Sequence, residues 1–214
     1  MPFSFLEVLM AKKFDMATEK PSHMDNMRML QLKSIYTAPY MQLATNLIGK
    51  ARFAGGNMFR HQIDTMGILI DYGYIDSVLL KASCVHGVIE DIPGFDSELI
   101  RNADEEGEQV LALVTEVTKR PGQLKSDYLR GIIDHGSHRA KVLKCADRIS
   151  NMISLGFVTS CEFIERYCDE TEMFIFPIAL EVDYNMYLEL INLVMSRRQY
   201  LEDSGYYDRK KSED

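Results

Sequence analysis

Two short runs and one isolated histidine hold the residues best suited to chemistry. The first run reads Cys84-Val85-His86-Gly87-Val88-Ile89-Glu90-Asp91. It sets a histidine and two acids into a stretch dominated by Val78, Leu79, Leu80, Ala82, Val85, Val88 and Ile89. His86 and Glu90 are four apart and share a face if the stretch is helical. Polar groups on so apolar a helix need hydrogen-bond partners or a metal. A blander reading stays open: Glu90 and Asp91 end the helix near solvent, and His86 is a hydrogen-bonded core residue.

The second run is Lys144-Cys145-Ala146-Asp147-Arg148-Ile149-Ser150-Asn151-Met152. Asp147, Asn151 and Ser154 recur at i, i+4 and i+7, a carboxylate, an amide and a hydroxyl in one line. Such a stripe can serve a metal and the sugar of a ligand, or it can simply be a solvated face. Solvated faces tend to be rich in Lys and Glu, and this one is not. His61 follows Arg52-Phe53-Ala54-Gly55-Gly56-Asn57-Met58-Phe59-Arg60, a stretch with two adjacent glycines. Imidazole and carboxylate donors suit Mn²⁺, Fe²⁺ or Zn²⁺. His135 and His138 flank a glycine in an expected turn with no acidic constellation, and His23 stands in a weakly patterned region. None of these three is assigned a role.

The elements that must position these residues are helices. Tyr40, Ala44, Leu47, Ile48 and Ala51 keep a helical period. So do Val110, Leu113, Val114 and Val117, then Val142, Ala146, Ile149 and Ile153, then Tyr187, Leu190, Ile191 and Val194. No sustained alternation favours strands. The pattern predicts helices over 26–35, 39–52, 58–72, 76–90, 95–102, 105–119, 123–135, 138–155, 160–176 and 185–202. Gly73, Gly136 and Gly156 are expected at helix ends in the left-handed conformation. Ser137 is expected to cap the helix after it, Thr159 with Glu162 to form a capping box, and Pro177 to bend or end its helix. Residues 1–25 read as an N-terminal extension, 26–203 as one domain, and 204–214 as a polar tail without fixed structure.

Composition narrows the function classes. A net charge of −8 argues against a general nucleic-acid surface, which needs clustered Lys and Arg. It leaves room for a small anionic ligand held by local cations or a metal. No apolar run approaches the roughly 20 residues that cross a bilayer, and Met1–Leu6 lacks the features of a secretory leader. The four cysteines, 84, 145, 161 and 168, form no Cys-x-x-Cys pair and read as reduced, and mostly as small core residues. The expected location is the cytoplasm.

In this order and at these separations, the motifs resemble the HD superfamily of metal-dependent phosphohydrolases, and most of all its RelA/SpoT alarmone-hydrolase branch. That branch shows an arginine, a glycine-containing loop and a histidine; then His-Asp-x-x-Glu-Asp; then Lys-x-Ala-Asp-Arg-x-x-Asn-Met. This chain matches with Arg52, Gly55 and His61, with His86 to Asp91, and with Lys144 to Met152. The resemblance spans about residues 40–160. It implies an all-α HD-domain bundle that removes pyrophosphate from the ribose 3′ position of guanosine tetra- or pentaphosphate (ppGpp and its relatives). It implies Mn²⁺ or another divalent ion on His61, His86 and Asp147, acting as a Lewis acid on water and phosphate. Glu90 and Asp91 would orient or protonate around the reacting groups. Arg52 would contact the nucleotide, and Asn151 and Ser154 the ribose, although the family more often has threonine at the place of Ser154.

Two departures are plain. The aspartate of the His-Asp doublet is Gly87 here, and the loop before His61 reads Gly56-Asn57-Met58-Phe59 where the family has Gly-Glu-Pro-Tyr. Losing a charged ligand is expected to weaken metal binding and to reduce or abolish turnover. With Gly87 expected inside a helix, an aspartate there is expected to be tolerated and to restore both. Two alternatives stand beside the hydrolase: a nucleotide-binding domain that does not cleave, and another HD-type nucleotide phosphohydrolase such as a deoxynucleotidase. The Glu90-Asp91 pair and the Asn151-Met152 run favour the alarmone branch over the latter.

Overall fold

A computed structural model describes the backbone of residues 23–213 and the side chains of 26–210. The expectations for residues 1–22 and for the His23 side chain lie outside these. Helix α1 (His23–Ser34) belongs to a unit that ends at Ile35. Ser34 Oγ donates to the Gln31 carbonyl at 2.7 Å in its last turn.

The second unit, from Tyr36 onward, is a helical bundle. Among the described residues there is no strand, only one isolated bridge between Ala51 and Asn57. Its helices are α2 (Ala38–Ala44), α3 (Met58–Asp71), α4 (Ser77–Val85), α5 (Val88–Asp91), α6 (Glu98–Arg101), α7 (Gly107–Glu116), α8 (Lys125–His135), α9 (His138–Ser154), α10 (Cys161–Glu170), α11 (Phe176–Val182), α12 (Tyr184–Asp203) and α13 (Tyr206–Glu213). Helix α9 is the hub. It packs against α3, α12, α11 and α4, and is buried almost all round, including Asp147, Arg148 and Ser150. A helix in that position keeps polar groups only if each finds a partner. Helix α4, buried at every residue from Val78 to Val85, lies between α3, α2 and α7.

Several expected boundaries shift for identifiable reasons. The helix expected over 39–52 ends in a 3₁₀ turn at Thr45–Leu47, because Gly49 and the glycine loop beyond it cannot prolong it. The helix expected over 76–90 breaks at His86-Gly87 into α4 and α5. Pro177 does not end its helix. A π-helical turn over Thr171–Ile175 precedes α11, and proline sits in the first turn of α11, where its missing N–H costs little. Gly73 is left-handed, with φ +78°, as expected. Gly136, at φ −62°, is not, and Gly156 is absent from the positive-φ residues and lies inside a 3₁₀ turn, Leu155–Phe157. Ser137 caps α9 by accepting from Ala140 N. The cap of α10 is Ser160, one residue after the expected Thr159. Of the expected 204–214 tail, the described residues 204–213 are not structureless: α13 follows a turn at Gly205, and Tyr206 is buried and donates to Glu165 at 2.9 Å.

Candidate metal centre and cleft

Three helices bring His61, His86 and Asp147 together. Asn57 caps α3 by accepting from Arg60 N at 2.9 Å, which fixes the first turn and points His61, at its second turn, into the core. The break after α4 turns His86 toward the same point. Asp147 comes from the middle of α9. One donor atom from each of the three lies within 4.8 Å of the other two. His61 Nε2 is 2.9 Å and His86 Nε2 3.7 Å from the same carboxylate oxygen of Asp147. The solvated-face reading of the α9 stripe is thereby excluded, since Asp147 is 8% exposed.

Both imidazoles are braced from behind. His86 Nδ1 meets the Ser83 carbonyl at 2.8 Å, a group that can only accept, so Nδ1 carries the proton and Nε2 presents a lone pair to the centre. His61 Nδ1 meets Ser150 Oγ at 2.8 Å. A hydroxyl donates or accepts, so Ser150 suits either tautomer of His61: with Nε2–H donating to Asp147, or with Nε2 free to bind a metal. Metal-binding histidines have this arrangement, their second nitrogen tied to a backbone carbonyl or a polar side chain. Burial holds the His61 imidazole below its ordinary pKa, against the pull of Asp147, so it favours the neutral form that a metal requires. Burial alone would raise Asp147, but Lys144 at 2.7 Å and the His61 hydrogen bond outweigh it and hold the carboxyl well below its usual range. The donors therefore fit a divalent ion with nitrogen and oxygen preferences, through three protein ligands.

A cleft of about 230 Å³ adjoins the centre, with Lys50, Arg52, Phe53, Asn151, Phe163 and Tyr167 in its wall. Gly55 and Gly56, at φ +86° and +71°, let the chain reverse tightly. The reversal is closed by Arg52 N donating to Gly56 O at 3.1 Å and Met58 N to Lys50 O at 2.9 Å. Arg52 is thereby aimed at α9, where it donates to Asn151 Oδ1 at 2.8 Å and to Ser154 Oγ at 3.1 Å. Asn151 in turn donates to Asp147 Oδ1 at 2.7 Å, so the cleft and the metal centre share one hydrogen-bond network. Phe53 and Phe163 lie with ring centroids 4.8 Å apart, and Phe163 stacks on Tyr167 at 5.7 Å.

Of the eight residues singled out by sequence, six are thus joined directly. Glu90 and Asp91 are not within the ligand cluster. Asp91 borders the cleft and pairs with Lys50 at 3.1 Å. Glu90 points outward, accepting from Lys119 N at 3.4 Å. Sequence reasoning missed Ser150, Gln62 and the aromatic wall. Ser150, three residues after Asp147 on the same helix, was within reach of a spacing argument.

Gly87 is the N-cap of the short helix α5, at the break and not inside a helix. A Cβ added there would meet Gln62 Nε2 at 2.8 Å and Asp91 Oδ2 at 3.2 Å. The expectation that an aspartate at 87 is simply tolerated is therefore revised.

No family model and no curated protein matches this chain. A solved structure of a metazoan ortholog of SpoT, described as hydrolysing ppGpp and playing a role in starvation responses, matches with a TM-score of 0.65 at 22% identity. The match covers 84% of this chain and 98% of that one. The chain thus has the helical fold of a SpoT-type ppGpp hydrolase.

Proposed function

We propose that this protein binds an alarmone-type nucleotide, guanosine tetra- or pentaphosphate, and removes its 3′ pyrophosphate slowly, with Mn²⁺ or a similar ion on His61, His86 and Asp147. The convergence of these three side chains, each imidazole braced at Nδ1, beside the Arg52–Asn151–Ser154 network carries this reading. When bound, the ion would neutralise charge on phosphate oxygens as a Lewis acid. Two neutral imidazoles and one carboxylate leave such a site net positive, and Lys144 adds to it, which favours a polyphosphate. Arg52 would give up its contacts with Asn151 and Ser154 to take phosphate oxygens in a charge-assisted bond. Asn151 and Ser154 would then face the ribose hydroxyls. The base would lie against Phe53 and Phe163, whose flat faces suit a purine. Asp91 would hold or pass a proton near the reacting atoms, and Glu90 would join it only if its side chain turned inward from Lys119. The reaction would run in the cytoplasm, where the four cysteines, all free thiols, stay reduced.

The test is pyrophosphate release from guanosine tetraphosphate by metal-stripped protein with and without added Mn²⁺. Slow release that needs Mn²⁺ and is lost in Asp147→Asn is expected. Hydrolysis of deoxynucleoside triphosphates with no action on the alarmone would overturn it. Gly87 favours a second reading, in which the nucleotide is bound and not cleaved. Tight alarmone binding with no turnover at saturating Mn²⁺ would select that one.

A further inference from the structure

Gln62 is wholly buried, and its Nε2 has no hydrogen-bond partner. Its Oε1 accepts from Gly87 N at 3.2 Å. That backbone donor identifies which amide atom is the oxygen, and it leaves Nε2 as an unsatisfied donor in the core, which carries a cost. The position where a Cβ of residue 87 would stand is 2.8 Å from that same Nε2. Gln62 also follows His61 directly on α3, while Gly87 follows His86 directly at the break beyond α4. The two residues that flank the metal-binding histidines thus touch each other.

We infer that Gln62 and Gly87 are a reciprocal pair: the Gln62 amide fills the space that a side chain at 87 would enter, and it positions His86 by holding the Gly87 N–H. The glycine is then a requirement of Gln62, and not a vacancy awaiting a ligand. Restoring aspartate at 87 alone fails for two reasons. Its Cβ drives Gln62, which has no solvent to swing into, off the Gly87 N–H. Its carboxylate is also drawn to the unsatisfied Nε2 and away from the metal. Gln62 is a positioning residue, and the affinity consequence rests on the metal-centre reading above; the packing consequence does not.

The experiment is a double-mutant cycle with two readouts. Mn²⁺ affinity is measured by calorimetry for the unaltered chain, Gly87→Asp, Gln62→Ala and the double variant, with Gln62→Ser in place of alanine where that protein does not fold. Gly87→Asp alone is expected to change affinity less than about threefold, and the double variant to bind about tenfold or more tightly than the unaltered chain, the usual scale for a lost or regained support of a metal ligand. Melting temperature without metal is measured for Gly87→Ala in both Gln62 and Gln62→Ala backgrounds. The added methyl is expected to lower it only where Gln62 is present. Gly87→Asp binding Mn²⁺ as tightly as the double variant overturns the inference, as does equal destabilisation by Gly87→Ala in both backgrounds. If no variant binds Mn²⁺, the metal-centre reading fails, and the melting cycle alone decides the pair.

Discussion

Ser150 and Arg52 depend differently on their neighbours, and each makes a distinct prediction. Ser150 Oγ is the partner of His61 Nδ1 in the core. Ser150→Ala removes one oxygen and little volume, so the fold should persist while His61 loses the partner that holds its orientation. Mn²⁺ affinity should fall about tenfold or more, with circular dichroism unchanged; an unaltered affinity would mean that Ser150 is only a filler. Arg52 reaches Asn151 and Ser154 and is half-buried at the cleft. Hydrogen bonds to a charged group are worth about 1.5–3 kcal/mol, so Arg52→Ala should weaken guanosine tetraphosphate binding on the order of tenfold or more while leaving Mn²⁺ affinity nearly intact. Loss of both together would place Arg52 in the metal centre. The resemblance of the motifs to the HD superfamily singled out His61, His86 and Asp147 as ligands; residue types and spacings alone left His86 open to a core reading and the Asp147 stripe to a solvated one. They were silent on Gln62, because nothing in a sequence says which buried amide will face which backbone N–H once α3 and α4 pack.

At the scale of elements, periodicity located nearly every helix but not the breaks within them. The break at His86-Gly87 and the π turn before Pro177 each coincide with a tertiary hydrogen bond: Gly87 N–H donating to Gln62 in one case, Arg148 donating to Thr171 Oγ1 at 3.0 Å in the other. A second tie of this kind anchors α4. Lys81, nearly buried, reaches Asp104 at 2.7 Å and Glu106 at 2.6 Å in the loop before α7, and Tyr40 from α2 donates to the same Asp104 at 2.7 Å. Burial would raise the Asp104 carboxyl, but Lys81 and Tyr40 outweigh it and hold it below its ordinary value. Lys81 and Ser77 do the same to Glu106. Both folded pKa values lie below the unfolded ones. The stability they supply is therefore present above the unfolded carboxylate range and is lost as pH falls below about 4. Lys81→Met should cost about 1–3 kcal/mol at pH 7, discounted from a fully buried pair because both acids are partly exposed. Denaturant melts at pH 7 and pH 3 should show the gap between the two proteins shrinking at the lower pH. A gap that holds or widens there would assign the loss to packing of the lysine stem.

Across the whole molecule, the three candidate metal ligands tie together segments that lie 25 and 61 positions apart in sequence, at 61, 86 and 147. They sit on α3, at the end of α4, and on the central α9. An unfolded chain holds no such cluster, so an ion that binds there binds the folded state alone and must raise its stability by mass action. At a free concentration near 100 times Kd the gain is about 2.7 kcal/mol. For a domain of this size that corresponds to a rise in melting temperature on the order of 5–10 °C. Because α9 packs on α3, α4, α11 and α12, the shift should appear as one cooperative transition and not as stiffening of a single loop. Mn²⁺ should produce it, and Mg²⁺ far less, since Mg²⁺ prefers oxygen ligands and sheds water reluctantly. His86→Ala should abolish the Mn²⁺ shift while its own metal-free melt stays cooperative. A shift of equal size in His86→Ala would place the ion elsewhere on this acidic surface.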